Sequence, residues 1–322
     1  MSAISKLVSD TKQTNKNFYR TERLEAQTGN DSMKFNYNGI SQFSSIRNTA
    51  SSSTLDRLGF KSEGTNLNLR YQNNTVISDS LFGIKYNLSN FDINKYGFNH
   101  VTSEKTMGLY QNNNASQLAI LTDGIYKNID FTVNTLDNQT SLLNALSGLN
   151  LTYFKRAPSQ LFDQDAKSLN QRVAKNVSNS NKDFVTITYR VIAPPHSQLY
   201  VSVPNISWSD DNNHSLSITV NGVTRNQVTD NTFDFFDLGY FETESMVTIK
   251  LSFPGNKAIS FDNPSFYALD THNYQIAMDT INERDSKVTT SNNKVFVDYS
   301  SKTNASLFFT IPYDKGWTAT IN

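Results

Sequence analysis

The amino-acid sequence predicts a mixed α+β N-terminal half followed by a mainly-β C-terminal half, the latter β-sandwich or jelly-roll-like. Phe and Tyr, 21 and 15 of 322 residues, recur beside Thr, Val and Ile, a composition suited to the half-buried face of a sheet. After residue 181, short runs with a period of two follow one another, separated by Asn, Asp, Gly and Ser. One of them, Leu216 to Val220, leads straight into Asn221-Gly222. That pair favours a two-residue type I′ hairpin because both residues accept positive φ.

The elements follow in order. Residues 3–15 read as a polar helix or tail, and Phe18 to Glu25 as a strand that mixes aromatics with charge. Met33, Phe35 and Tyr37 alternate with Lys34 and Asn36, so a strand is expected there. Ser51 to Leu58 reads as a helix closed by Gly59. Leu67 to Tyr71 alternates again, Val76 to Tyr86 combines a turn with a strand, and Leu118 to Leu121 is another strand. Gln139 to Leu149 is expected to be helical, with apolar residues at 142, 143, 146 and 149. Pro158-Ser159 is expected to open a polar helix running over 163–177, with a thin stripe at Ala166, Leu169 and Val173.

The polar loop 176–182 is the expected boundary between an α+β domain (1–180) and a sandwich domain (181–322). In the second domain, strands are expected at Phe184–Val191, Leu199–Val203, Leu216–Val220, Phe233–Leu238, Met246–Phe253, Phe261–Leu269, Val295–Tyr299 and Leu307–Ile311. Only Tyr274 to Ile281 interrupts them, as a short helix. Trp317 to Asn322 repeats the alternation of Leu216 to Asn221, then stops where the earlier run continues to Gly222. The sandwich domain is therefore expected to be truncated at its C-terminus; an edge strand at a true chain end is the alternative.

Charge and composition exclude several functions. Lys+Arg and Asp+Glu balance at 29 each, so no nucleic-acid partner is expected. The chain has no Cys, which excludes disulfides, thiolate catalysis and cysteine-ligated zinc. A cysteine-free chain of this length fits an exported protein of a Gram-positive bacterium, and a cytosolic protein as well. No stretch approaches the roughly 20 apolar residues that cross a bilayer, and Met1 to Lys6 lacks the apolar core of a signal peptide.

Motifs for chemistry are sparse. His100, His196, His214 and His272 show no metal-ligand spacing, and no Gly-x-Ser-x-Gly elbow or Gly-rich phosphate loop occurs. Asp163 and Asp165 have the Asp-x-Asp spacing by which carboxylates share a hard cation, but Asp163 or Ser159 capping the following helix is the favoured reading. Ser209 to His214 is oxygen-rich enough for calcium, yet reads better as a hairpin tip. No metal or other cofactor is expected. Trp208, Tyr313 and Trp317 are candidates for stacking on sugar rings if exposed, against burial in a core. Arg20, Glu22 and Arg23 form a charge cluster on an early strand, a candidate binding group whose alternative is a solvated strand face.

Several segments resemble a known family. Leu307-Phe308-Phe309-Thr310-Ile311-Pro312-Tyr313-Asp314-Lys315-Gly316-Trp317 is similar to a segment of the bacterial YfhO-type membrane proteins. Phe18 to Glu22, Asn38 to Ser45 and Asp79 to Tyr86 resemble further segments of that family, in the expected order along the chain. The resemblance implies a multi-pass membrane protein of the GT-C glycosyltransferase kind with a large outer-face domain. It also implies sugar addition to lipoteichoic acid or a related wall polymer, from a lipid-linked donor. The catalytic carboxylate would lie in the membrane part, so the resemblance implies no catalytic residue in this chain. The expected partners are the wall-polymer acceptor and the transmembrane part of the same polypeptide. The alternative is a stand-alone carbohydrate-binding or adhesion module; a third possibility is a soluble, metal-dependent transferase using Asp163 and Asp165.

Overall fold

The structure is a computed structural model that describes residues 2–46, 48–60, 68–71, 75–123, 129–164, 184–208, 215–229, 234–254, 259–284, 286–301 and 304–321. Its backbone clusters into two compact units. The first comprises residues 1–93, 97–151 and 275–322, and the second 94–96 and 152–274.

The second unit is a β-sandwich. Its five-stranded antiparallel sheet is ordered Val223–Val228, Ser215–Val220, Ser245–Pro254, Phe184–Ala193, Ser159–Gln164. The facing four-stranded sheet is ordered Asp234–Phe241, Ser197–Val203, Ser265–Asp270, Phe154–Arg156. The chain crosses between the two sheets several times, in the jelly-roll-like habit, with Ser159–Gln164/Phe184–Ala193 and Ser215–Val220/Val223–Val228 as successive pairs within one sheet. Period-two alternation turns Ile187, Tyr189 and Val191 inward from the first sheet, and Leu199, Val201 and Val203 from the second. The neighbouring strand of the first sheet adds Val247, Ile249, Leu251 and Phe253, all fully buried. Each such side chain stabilises by about 1.5–3 kcal/mol on burial. The hairpin at Asn221-Gly222 forms with φ of 47° and 91°, both positive as a type I′ turn requires.

The first unit is mixed. A four-stranded sheet is ordered Arg20–Arg23, Ile84–Ser89, Met107–Asn112, Phe98–Glu104, with the first pair parallel and the rest antiparallel. The helix Ala3–Thr14, capped by the Ser2 side chain, packs Ile4, Leu7 and Val8 on Tyr86, Leu88, Met107 and Leu109 of that sheet. A second helix, Thr135–Ser147, starts on Asn134 and ends at Gly148 with φ 78°. Arg284 donates to the carbonyls of Leu146 and Ser147, both at 2.7 Å, placing a cation on the helix C-terminus. The hairpin Ser286–Ser291/Lys294–Tyr299 and the pair Ala119–Thr122/Ser306–Phe309 complete the unit.

Five expectations differ from this structure, one being the turn expected after Val76, where the short helix Val76–Leu81 precedes the strand Ile84–Ser89. The units divide at 151/152 and 274/275 instead of at 180/181. Phe154–Arg156 and Ser159–Gln164 join the sandwich sheets, whereas residues 275–322 join the first unit. A strand's local pattern does not encode which sheet it pairs with. Met33 to Tyr37 is not a strand: Asp31–Phe35 is a short helix ended by Asn36 in the left-handed region, φ 57°. Ser159 begins a strand instead of a helix, since residues 159–164 find backbone partners in Phe184–Ala193; the rest of the expected 163–177 helix lies outside the described residues. Trp317 to Ile321 carries no strand pairing, and Trp317 N–H instead closes a turn onto the Asp314 carbonyl at 3.1 Å.

Candidate functional site

The strand Arg20–Arg23 buries four consecutive polar side chains, Arg20, Thr21, Glu22 and Arg23. An uncompensated ion in such a place costs several kcal/mol, so each charge must have a partner. The reading of this strand as a solvated face is therefore corrected: both of its faces are covered.

Arg20 is neutralised by carbonyl dipoles. Its Nη1 donates to the Phe82 carbonyl at 2.7 Å and to Thr310 Oγ1 at 3.2 Å, and its Nη2 to the Thr310 carbonyl at 2.5 Å. The guanidinium also lies 5.0 Å from the Phe18 ring centroid. Burial lowers its pKa to about 10, opposed by the nearby Glu22 charge, so it remains a cation at neutral pH. Arg20 thereby joins the N-terminal strand to residue 310 within the same unit.

Glu22, 1 % exposed, clamps a loop. Its Oε1 accepts from the N–H groups of Ile40 at 2.5 Å and Ser41 at 2.9 Å, and its Oε2 from Ser41 Oγ at 2.9 Å. Burial pushes its pKa up to about 7; the three hydrogen bonds pull it down and the Asp79 charge adds to the rise. Gly39 lies close beside it: a Cβ there would stand 3.2 Å from Glu22 Oε1 and 3.1 Å from Ser32 Cβ, tighter than ordinary contact. Thr21 N–H holds the start of the same loop through the Asn38 carbonyl at 2.8 Å.

Arg23 pairs with Asp31 at 3.2 Å, and both side chains are buried. The Asp31 carboxylate also accepts from the N–H groups of Gln27 and Thr28 and from Thr28 Oγ1, each at 2.9 Å, which positions the start of its short helix. Arg23 Nε and Thr21 Oγ1 have no hydrogen-bond partner among the described residues. Behind Glu22, its register partner Asn87 donates to Tyr71 Oη at 3.0 Å, and Tyr71 donates to Asp79 at 2.7 Å. Tyr37 is buried nearby, and burial together with the Glu22 and Asp31 charges raises its hydroxyl pKa.

Arg20, Glu22 and Arg23 are thus brought together, but their polar atoms face protein groups. Their chemistry is positional: one carboxyl that titrates near neutrality holds residues 38–41, and two guanidiniums hold residues 82, 310 and 31. Sequence reading missed Asp31, Ser41, Tyr71, Asp79, Asn87 and Thr310. Asn38 to Ser41, Asp79 and Thr310 do fall in the family-like segments, but nothing local ties them to Glu22 or Arg20.

The aromatic candidates separate. Tyr313 is 77 % exposed and Trp317 45 % exposed, on a turn in which Gly316 N–H donates to Asp314 Oδ1 at 2.7 Å and Asn48 Nδ2 donates to the Tyr313 carbonyl at 2.8 Å. Trp208 belongs to the sandwich core, its Nε1 donating to Thr229 Oγ1 at 3.1 Å and its ring 6.3 Å from Phe253. It does not meet the condition of exposure. Among the described residues no three His, Asp or Glu side chains converge as metal ligands. Asp163 lies on the strand Ser159–Gln164, and Asp165 and 209–214 lie outside the described residues. Among the described residues no helix is long and apolar enough to cross a membrane.

A family model described as bacterial membrane protein YfhO matches residues 1–322. No curated protein matches the chain. Among solved structures, it is similar to an acetyl xylan esterase (Est2A) of the rumen bacterium Butyrivibrio proteoclasticus, at 11 % identity over 35 % of this chain and 29 % of that one, with a TM-score of 0.23. A family two carbohydrate esterase from Cellvibrio japonicus gives 10 % identity over 35 % of this chain and 33 % of that one, TM-score 0.20. A xylan-binding domain of CBM 22 gives 9 % over 34 % of this chain and 95 % of that one, TM-score 0.19. The chain thus spans about a third of the two esterases, and likenesses at these scores carry no functional argument. The match over the full sequence does: the chain belongs to the YfhO family of bacterial membrane proteins.

Proposed function

We propose that this YfhO-family chain is the outer-face portion of a multi-pass membrane glycosyltransferase that decorates lipoteichoic acid or a related cell-wall polymer. Its role is to hold or orient the acceptor, while the catalytic carboxylate belongs to the membrane part of the same polypeptide. The observation that carries this reading is the family match over residues 1–322. It is supported by the lack of a membrane-crossing helix among the described residues, which leaves the anchoring to other parts of the protein. In this reading Glu22 shapes the 38–41 loop, Arg20 holds residues 82 and 310, and Arg23 holds Asp31, instead of touching sugar. Tyr313 and Trp317, both exposed, are the aromatic candidates for contact with a sugar ring.

A transfer assay tests it. Membranes containing the parent protein, supplied with a polyprenyl-phosphate-linked sugar and lipoteichoic acid, should glycosylate the polymer. The same protein lacking residues 1–322 should lose most of that transfer, and the isolated chain should transfer nothing. Equal transfer with and without these residues would overturn the proposal, as would turnover by the chain alone.

A further inference from the structure

The outer face of the five-stranded sandwich sheet carries rows of hydroxyl and amide side chains with two cations among them. Phe184, Thr186, Thr188, Arg190 and Ile192 share that face of their strand, opposite the inward-turned Ile187, Tyr189 and Val191. The adjoining strand presents Met246, Thr248, Lys250 and Ser252. Two rows run across the sheet. One is Asn226, Ser217, Ser252 and Thr186; the other is Thr224, Thr219, Lys250, Thr188 and Asp163. The first is joined by Ser217 to Asn226 at 2.7 Å and Thr186 to Ser252 at 2.9 Å, the second by Thr219 to Thr224 at 2.8 Å.

Two cations stand in this hydroxyl field. Arg190 lies opposite Thr248 and Lys250 opposite Thr188, so the two are diagonal neighbours on adjacent strands, about 7–8 Å apart by sheet geometry. Neither makes an ion pair among the described residues; Asp163, at the edge, is the face's counter-charge. A register shift against the edge strand sets Thr188 opposite Asp163 and Tyr189 opposite Leu161, which leaves Phe162 as the extra residue. Such a bulge re-aims a side chain. Here Phe162 is 54 % exposed, with the Arg190 guanidinium 3.6 Å from its ring centroid.

We infer that this face binds an anionic, hydroxyl-rich polymer of the polyol-phosphate class. Phosphates would meet Arg190 and Lys250, hydroxyls the Ser/Thr/Asn rows, and the C–H face of a polyol or sugar the Phe162 ring. Charge complementarity and the density of hydroxyls select this occupant; an apolar partner would desolvate two cations and the exposed or half-buried polar side chains around them, Thr188 being already buried, at a cost. The inference rests on the acceptor-holding role proposed above and assigns it to residues outside the sequence-derived candidates.

The test is titration of the 322-residue chain with synthetic glycerol-phosphate oligomers, and with neutral dextran, at low ionic strength. Saturable binding of the oligomers, weakened by salt and absent for dextran, is expected. The double variant Arg190→Glu/Lys250→Glu should weaken it by about tenfold or more, and Phe162→Ala, which keeps both cations, by a smaller factor. An unchanged melting temperature shows that each variant is folded. Binding by the wild type that neither variant weakens overturns this face as the site but leaves the acceptor-holding role standing. No saturable binding by the wild type at millimolar oligomer overturns both.

Discussion

Two strands of this molecule solve opposite problems. Phe184–Ala193 spans the sandwich sheet with every second side chain in the core and its charge, Arg190, outside. Arg20–Arg23 lies at the edge of its sheet, yet all four of its polar side chains are buried. The first is stabilised by apolar area and tolerates changes on its outer face. The second is held by side-chain hydrogen bonds and the Arg23–Asp31 ion pair, in which each charged group depends on its partner. A charged strand in the sequence is therefore not by itself a surface strand.

The sharpest way to break that contrast is to remove one partner of the buried ion pair. Asp31→Ala should destabilise the protein by about 3–5 kcal/mol, measured by urea denaturation, because Arg23 is left as a buried charge. Truncation in the apolar core of the other strand's sheet, Leu251→Ala, should cost about 2–5 kcal/mol through lost burial and the cavity left behind. A near-neutral result for Asp31→Ala beside a large one for Leu251→Ala would show the network to be dispensable.

The protonation of Glu22 sharpens the comparison in pH. Its folded pKa, about 7, lies above the usual carboxyl value near 4.5, so the folded state holds its proton more tightly than the unfolded state. Its contribution is fully favourable below the unfolded value and is lost as pH rises from about 4.5 through 7. Relative to Glu22→Gln, which keeps an acceptor for Ile40 and Ser41, the wild type should lose on the order of 3 kcal/mol between pH 4.5 and 8. Parallel stability profiles for the two proteins would refute this. At the small end, Arg190→Ala should change stability by under about 1 kcal/mol, since its contact with Phe162 is exposed.

Legibility differed between the same two regions. Clean alternation over Phe184–Val191 and Leu216–Val220, and Asn-Gly at 221–222, marked sandwich strands and a hairpin, because period and turn chemistry are local properties. The burial of Arg20, Glu22 and Arg23 was illegible, because their partners Thr310, Ile40, Ser41 and Asp31 come from three separate places in the chain. Met33–Tyr37 misled for a related reason. Three alternating apolar residues fit a strand, but Asp31 and the left-handed Asn36 close them into one helical turn.

By itself, the sequence determined the strand-rich second half, a helix over 139–149 that the structure extends back to Thr135, and the family to which the chain belongs, while leaving 3–15 as a helix or a tail. These follow from short-range periodicity, capping residues and ordered segments, all written in consecutive residues. Tertiary structure alone decided that residues 152–164 complete the sandwich, that residues 275–322 complete the other unit, and that a charged strand lies inside. Sheet partnership and charge compensation are pairings between residues far apart in the chain, and no local pattern records them.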